Sequence, residues 1–488
     1  MLDQFERPGN YWKRLLAGSL TLVVLAAGVT SVAGWNEVDR LVDAFEQGKE
    51  LKLQRYLEQA ESGEPQTIML IGSDKRHKSA IDGGGGARSD TVMLVRLDPS
   101  QRATALLSLP RDLKVQIPGY GTDKLNAAYS VGGPELTLRT VTKVTGIPVN
   151  HVVNINFTGF KDAVRALGCP YVDIDRRYFN DNSGYEPDYA TIDLKPGYQQ
   201  VCGGDALDYV RYRHEDTDIV RAARQQEFLR QVKQQIGLTK LFERRADLLE
   251  IFGRYTDSDI RGRANVLRLL KLALASAQHP IREIHFTGSL GASYVTASSS
   301  VMKNLREDFL GLKATAGPRG RLKPERADRK QAKRNKRKEP VTGLEDGSVA
   351  GKDQALQLAG QGQKFPAFYP TLRTYGGLYA GPPRFYRIPV GPKGDRKFYP
   401  SYRMVIKKGL IGEYYGIQGT TWKEPPILRD PSETRQIGKR EFELHYDGDR
   451  LRMVAWRTDK AVYWVHNTLL QTLSEQQMLA IARSTRTL

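Results

Sequence analysis

Residues Arg211 to Gln226 read RYRHEDTDIVRAARQQ and gather four arginines (Arg211, Arg213, Arg221, Arg224), one histidine and three acids into a single polar run. Arg221, Arg224 and Gln225 are spaced by three and four, so on a helix they share a face. Thr217 or Asp218 would begin that helix, since both are good N-cap residues. Arg211 and Arg213 come just before it, after a DYV segment that reads as the end of a strand. Planar guanidinium forks and a helix N-terminus aimed at one point suit phosphate or pyrophosphate. A solvated, charge-laced helix is the competing reading of the same run.

Further polar residues fall at strand ends and turns, where sites on α/β sheets form. Asp74 and Arg76 follow the apolar strand TIMLIGS, and Arg88, Ser89 and Asp90 precede DTVMLVRLD. Arg111 and Asp112 follow ATALLSLP. Lys124, Asn126 and Tyr129 lie in KLNAAYSVGG, read as a loop before a helix. An arginine–aspartate pair at a strand end is ordinarily a surface ion pair, so the joint placement carries the reading. His77 and His214 read as incidental loop histidines. Ser73 and Ser108 have no GxSxG context and read as strand-end residues.

These residues need a scaffold of interleaved elements. Strands are expected over 67–74, 90–98, 103–112 and 151–157, and helices over 132–146 (opened by Pro134) and 158–168, closed by Gly168. A short strand is expected at YVDIDRR, and the arginine helix runs to about Gln235. A helical block follows over 241–277, then a strand at REIHF and a helix over 294–310. This alternation predicts an α/β domain over residues 65–312 with a mixed central sheet flanked by helices. Residues 313–364, rich in Gly, Pro, Lys and Arg, read as a basic disordered linker. Short aromatic strands and a final helix predict a separate C-terminal α+β domain over 365–488. Its tyrosines and tryptophans would suit carbohydrate stacking, although aromatic strands forming their own core is the commoner meaning.

The 488 residues carry a net charge of +19, enough chain for two or three domains and a bias toward anionic partners. From Arg319 to Lys338 eleven lysines and arginines stand against two acids, so much of the excess lies outside the expected domains. Residues 15–35 are uncharged and long enough to span a bilayer, with Arg7, Lys13 and Arg14 before them. We read them as an uncleaved signal anchor, with 1–14 a cytoplasmic tail and 36–64 a membrane-proximal helical segment; a cleaved signal peptide is the alternative. The rest would lie outside the cytoplasm, which disfavours nucleic acid as a partner of the basic stretch. In that compartment Cys169 and Cys202 favour a disulfide over free thiols, and no CxxC or HxxxH pattern supports a metal.

IGSD (71–74), ARSDTVMLVRLDP (87–99), SLPRD (108–112), KLNAAYSVGG (124–133) and ALDYVRYRHEDTDIVRAARQQ (206–226) together resemble the LytR-CpsA-Psr family of cell-envelope phosphotransferases. The resemblance covers residues from about 66 to 312 and implies that family's mixed-sheet fold. It also implies transfer of a phosphate-linked glycopolymer from a polyprenyl-pyrophosphate carrier to peptidoglycan through a phosphodiester. The polymer could be of teichoic acid, arabinogalactan or capsular type. By motif, Arg88, Arg111, Arg211, Arg213, Arg221 and Arg224 would hold the head group, with Gln225 a further donor. Asp74 and Asp90 would be the carboxylates near Mg²⁺, with Mn²⁺ as the alternative. Asp90, Arg111, Asp218 and Arg221 would be catalytic, Asp218 serving as base or as site organiser. The cysteine pair matches family members with a disulfide there. These roles fit phosphoryl transfer, which needs positioning and charge neutralisation more than a covalent nucleophile. A pyrophosphatase passing the phosphate to water, and a non-catalytic scaffold binding lipid-linked polymer or wall, are the competing readings.

Overall fold

The computed structural model describes residues 39–311 and 341–488 apart from residues 41, 62, 74–88, 102, 184–189, 213–215, 237–242, 278–280, 285, 292, 393, 410–412 and 448–449. The apolar segment 15–35, the basic stretch 319–338 and residues Asp74, His77, Arg88, Arg213 and His214 lie outside the described residues. Among the described residues no helix is long and apolar enough to cross a membrane.

A six-stranded sheet forms the centre of the N-terminal half. Its strands are β1 (Gln66–Ser73), β2 (Ser89–Asp98), β3 (Ala103–Leu109), β6 (His151–Asn156), β11 (Thr256–Ser258) and β12 (Ile281–Ile284), in the order β11-β6-β1-β2-β3-β12. β1 runs parallel to β6 and β3 parallel to β12, while the other pairs are antiparallel, so the sheet is mixed as expected. The strands are apolar on both faces because both faces are covered. On one side Met69, Ile71, Val92, Leu94 and Leu107 pack with helix α1 (Leu125–Thr145) and helix α7 (Ser299–Leu310). On the other, Ile68 and Val153 meet Val266 and Leu269 of helix α6 (Arg263–Ala277). Each such apolar side chain removed from water contributes about 1.5–3 kcal/mol.

Several local expectations are corrected. The first half of KLNAAYSVGG is helical: α1 starts at Leu125 and is broken at Gly132 and Gly133 (φ +60°), so Pro134 opens its second half rather than the helix itself. A hairpin of β4 (Lys114–Ile117) and β5 (Gly121–Lys124) precedes α1. DYV is not a strand end but part of helix α3 (Gly203–Arg211), whose Ala206, Leu207 and Val210 recur at helical spacing against the core. The block after Gln235 splits into α5 (Arg245–Tyr255), β11 and α6. β13 (Ser289–Leu290) and β14 (Val295–Thr296) form a hairpin before α7. Within the segment whose composition reads as linker, Leu344–Asp346 form strand β15, which pairs with β16 (Leu372–Thr374), and Ser348–Gly360 form helix α8.

Helix α2 (Phe157–Ala166) follows β6, and β7 (Tyr171–Ile174) pairs with β10 (Gly197–Gln200). A disulfide joins Cys169, just before β7, to Cys202, just before α3. Between them β8 (Tyr178–Asn180) pairs with β9 (Ile192–Leu194). Helix α4 (Asp218–Gln235) contains the arginine run and is capped by the Thr217 side chain, which accepts from the Val220 amide. α4 is polar, yet from Val220 to Phe228 every residue is buried. A helix of that composition is stable in an interior only if its polar groups are partnered all round.

The C-terminal region is β-rich, with a core of its own. Its antiparallel sheet comprises β17 (Leu378–Tyr379), β18 (Arg384–Val390), β19 (Lys397–Lys407), β20 (Tyr414–Thr420), β21 (Glu433–Ile437), β22 (Arg440–Asp447), β23 (Arg450–Arg457) and β24 (Val462–His466). α8 and helix α9 (Glu475–Ser484) supply Ala355, Leu358, Met478 and Ile481 to the core on one face, where Trp456, Tyr402 and Tyr463 are buried. The other face docks on the N-terminal half. Tyr198 is buried among Ile388, Ile427, Met453 and Trp464. Asp173 of β7 is wholly buried and receives Arg403 Nη1 at 3.2 Å and Trp464 Nε1 at 3.0 Å. Gly197 has φ +115°, and a Cβ there would run into the Tyr386 ring, so this close approach requires glycine.

Candidate anion site at the sheet edge

β1, β3 and β6 end at one edge of the sheet, and antiparallel β2 begins there: Ser73 is opposite both Ser89 and Asn156, and Leu109 is opposite Val92. The N-terminus of α4 is tied to the same edge. The backbone N–H of Asp112 donates to Asp218 Oδ2 at 2.7 Å. Gln225 Nε2 donates to Thr91 Oγ1 (2.8 Å) and to the Val210 carbonyl (3.1 Å), while its Oε1 accepts from Ser108 Oγ (3.1 Å). One buried amide thus joins β2, β3, α3 and α4.

Arginines collect around Asp218. Arg221 Nη2 lies 2.8 Å and Arg111 Nε 3.7 Å from Asp218 Oδ1. Asp112 adds a second carboxylate, 3.8 Å from Arg111 Nε and 3.1 Å from Lys124 Nζ. Arg211 ends α3 directly after Val210, and its guanidinium stacks over Phe157 at 4.1 Å. Arg111, Arg211, Asp218, Arg221 and Gln225, drawn from distant parts of the sequence, therefore meet at this edge. Asp90 is the second residue of β2 and opens at the same edge.

Arg224 does not join them. It is wholly buried, its guanidinium bound by Asp216 and by the Tyr212 carbonyl (2.6 Å) and set 4.7 Å over the Tyr178 ring. Asp216 also pairs with Arg176 Nη2 at 2.8 Å. Burial works most strongly against the Arg224 charge, but Asp216 together with Tyr178 and Tyr209 outweighs it and leaves the pKa above the ordinary arginine value. Arg176 is held up in the same way. Burial also raises the carboxyl of Asp175, which accepts from Tyr178 Oη at 2.5 Å. This Arg176–Asp216–Arg224 cluster fixes the chain on either side of residues 213–215 from behind. Neither Arg176 nor Asp216 stands out in the sequence: Arg176 is one of two adjacent arginines in YVDIDRR, and Asp216 is one acid among three in the run.

Among the described residues no group of three or more His, Cys, Asp or Glu side chains could hold a metal ion. Among the same residues two unpartnered hydroxyls stand at this edge. The Ser73 and Ser89 hydroxyls, opposite one another across β1 and β2, are buried and have no hydrogen-bond partner among the described residues. They adjoin Asp74 and Asp90 in sequence, and Mg²⁺ takes one or two carboxylates with further oxygens.

A covered mixed sheet whose edge gathers arginines beside a helix N-terminus makes an α/β domain with a cationic edge, which suits an oxyanion. The chain belongs to the LytR-CpsA-Psr family, whose model, LytR_cpsA_psr, matches residues 32–309. The polyisoprenyl-teichoic acid–peptidoglycan teichoic acid transferase TagT of Bacillus subtilis (strain 168) is 32% identical over 234 residues, 46% of this chain and 70% of that protein. A transferase of the same description, TagU of Halalkalibacterium halodurans, is 27% identical over 251 residues, 51% of this chain and 78% of that protein. A solved structure of TagT with bound octaprenyl pyrophosphate lipid is 24% identical, covering 52% of this chain and 92% of its own at a TM-score of 0.39.

Proposed function

We propose that this protein transfers a phosphate-linked glycopolymer from a polyprenyl-pyrophosphate carrier to peptidoglycan, forming a phosphodiester. The observation that carries the reading is the convergence of Arg111 and Arg221 on Asp218 at the sheet edge, in a chain whose relatives are named teichoic acid transferases. An acceptor hydroxyl oxygen attacks the phosphorus that bears the glycopolymer. The bond from that phosphorus to the bridging oxygen breaks, and polyprenyl phosphate leaves with the electron pair. Arg111, Arg211 and Arg221, with Arg88 and Arg213 assigned by motif, neutralise the charge spreading over the phosphoryl oxygens. Asp218 has both oxygens engaged, so we assign it the organiser's role. That leaves Asp112 as the base that takes the acceptor hydroxyl's proton. Asp74 and Asp90 would hold Mg²⁺, or Mn²⁺ in its place, which when bound adds positive charge on the pyrophosphate. Gln225 and Arg224 support the site by holding α4 and the chain before it.

We further propose that residues 15–35 anchor the chain in the cell membrane with the N-terminus cytoplasmic and the catalytic domain outside. The Cys169–Cys202 disulfide supports an oxidising compartment. The test is a transfer assay with the purified protein, a synthetic polyprenyl-pyrophosphate-linked saccharide, Mg²⁺ and peptidoglycan fragments, read by mass spectrometry. A phosphodiester-linked product that disappears in Arg221→Ala is the expected result. Release of polyprenyl phosphate with no linked product would replace transferase by pyrophosphatase, and binding without turnover would replace it by scaffold.

A further inference from the structure

Helix α4 has two working faces. With about 3.6 residues per turn, Asp218, Arg221 and Gln225 lie on one side, and Val220, Ala223, Glu227 and Arg230 lie on the opposite side. The first side faces the anion site. The second is covered largely by the C-terminal region. Val220 and Ala223 pack on Leu469. Glu227 Oε1 lies 3.5 Å from Arg452 Nη1 and 4.0 Å from His466 Nε2, and Arg230 Nη2 lies 3.6 Å from Asp447 Oδ2. Arg230 also binds Glu227 Oε2 (2.8 Å) and Glu283 of β12 (2.6 Å through Nε). Gln231 Nε2 donates to Glu227 Oε1 (2.7 Å), and Gln471 Nε2 donates to Asp447 Oδ2 (2.9 Å). Glu227, Arg230, Glu283, Asp447, Arg452 and His466 are all buried.

We propose that the C-terminal sheet is a brace that sets the position of α4, and that Arg452 is a positioning residue for the pyrophosphate chemistry on the helix's far face. Three carboxylates in this network (Glu227, Glu283, Asp447) face two arginines (Arg230, Arg452), and Arg452 is the one arginine of the pair that comes from the C-terminal sheet. Removing it leaves the three buried carboxylates to share the Arg230 charge in an interior where uncompensated charge is strongly disfavoured. The helix relieves this by shifting or by admitting water. Glu227 is two residues from Gln225, so any shift carries Gln225, Arg221 and Asp218 with it. A displacement of about 1 Å at a reacting centre can lower a rate about a hundredfold.

The inference rests on the proposed transfer activity, and the experiment separates the two. Full-length wild type, Arg452→Met, Arg452→Lys and the double variant Glu227→Gln/Arg452→Met are compared for kcat and KM in the transfer assay, for farnesyl pyrophosphate binding with Mg²⁺, and for far-UV circular dichroism. The expected result is a folded Arg452→Met chain whose kcat is at least tenfold lower and whose farnesyl pyrophosphate binding is weaker. The double variant, which removes one charge of each sign, should recover to within about threefold of wild type. A folded Arg452→Met with wild-type kcat and binding overturns the brace. Equal loss in the single and double variants also overturns the role given to charge balance. If Arg452→Met does not fold, the charge-keeping Arg452→Lys and the double variant decide: kcat within about threefold of wild type in both supports the charge balance, and a tenfold loss in either overturns it. A wild type that binds farnesyl pyrophosphate without transferring overturns the proposed activity alone, since binding still reads the brace. A wild type that does neither overturns both.

Discussion

The backbone N–H of Asp112 donates to Asp218 Oδ2 at 2.7 Å, joining the turn after β3 to the first residue of α4 across 106 positions of sequence. With that oxygen held by the main chain, Oδ1 faces Arg221 at 2.8 Å and Arg111 at 3.7 Å. Asp218→Asn keeps an acceptor for the amide but removes the charge that orders both arginines. We expect kcat for transfer to fall by roughly 10²-fold, the order seen when one preorganised charge-stabilising contact is lost. Unchanged turnover in a folded Asp218→Asn would remove Asp218 from the site.

The Cys169–Cys202 disulfide closes a loop with a sequence separation of 33, holding β7, β8, β9 and β10 together beside α3. In the chain-entropy model a loop of this length contributes about 4 kcal/mol. Cys202→Ala should therefore lower the urea midpoint under non-reducing conditions. Adding dithiothreitol to the wild type should lower it similarly and leave the variant unmoved.

His445 is buried, and its pKa is lowered to about 3, first by burial and then by the Arg452 and Arg457 charges. Unfolded, the imidazole protonates below about 6.5, while in the folded chain it stays neutral down to about 3. The unfolded state then binds more protons, so stability falls as pH drops through that window. Between pH 7 and pH 5 this single group should remove about 2 kcal/mol. Urea melts at the two pH values should show a smaller drop for His445→Gln than for wild type.

Arg403 and Asp173 form an ion pair across the interface with both side chains wholly buried, and Trp464 adds a hydrogen bond to the same carboxylate. Arg403→Met leaves Asp173 with a buried charge facing the Trp464 indole donor. It should cost about 3–5 kcal/mol. Asp173→Asn/Arg403→Met, which removes both charges, should cost measurably less by the same melt.

The sheet and the arginine helix were legible because their signals are local: apolar runs flanked by turns, and Thr217 placed to cap. The misreadings have physical causes. DYV reads as a strand end because a short apolar segment does not disclose its period, and the packing of Ala206, Leu207 and Val210 resolves it as part of α3. Arg224 reads as a site arginine from spacing alone. Yet steps of three and four from Arg221 turn opposite ways around the helix, so Gln225 reaches Thr91 while Arg224 reaches Asp216. α8 is hidden by linker-like glycine, lysine and glutamine, with Ala355 and Leu358 the apolar side chains that join Gly351 and Gln354 on its buried side. The docking of the C-terminal sheet could not be read at all, because Asp173 finds Arg403 and Trp464 only through the folded chain.

The Gly197–Tyr386 contact bears on how such a protein can be recombined. Gly197 has no side chain because the Tyr386 ring occupies that space, and Arg384 donates to the neighbouring Pro196 carbonyl at 2.7 Å. A tail grafted from this chain onto another family member would meet a side chain at that point unless the recipient also carried glycine. The two halves thus fit as a matched set, and domain shuffling would have to exchange β10 together with the tail.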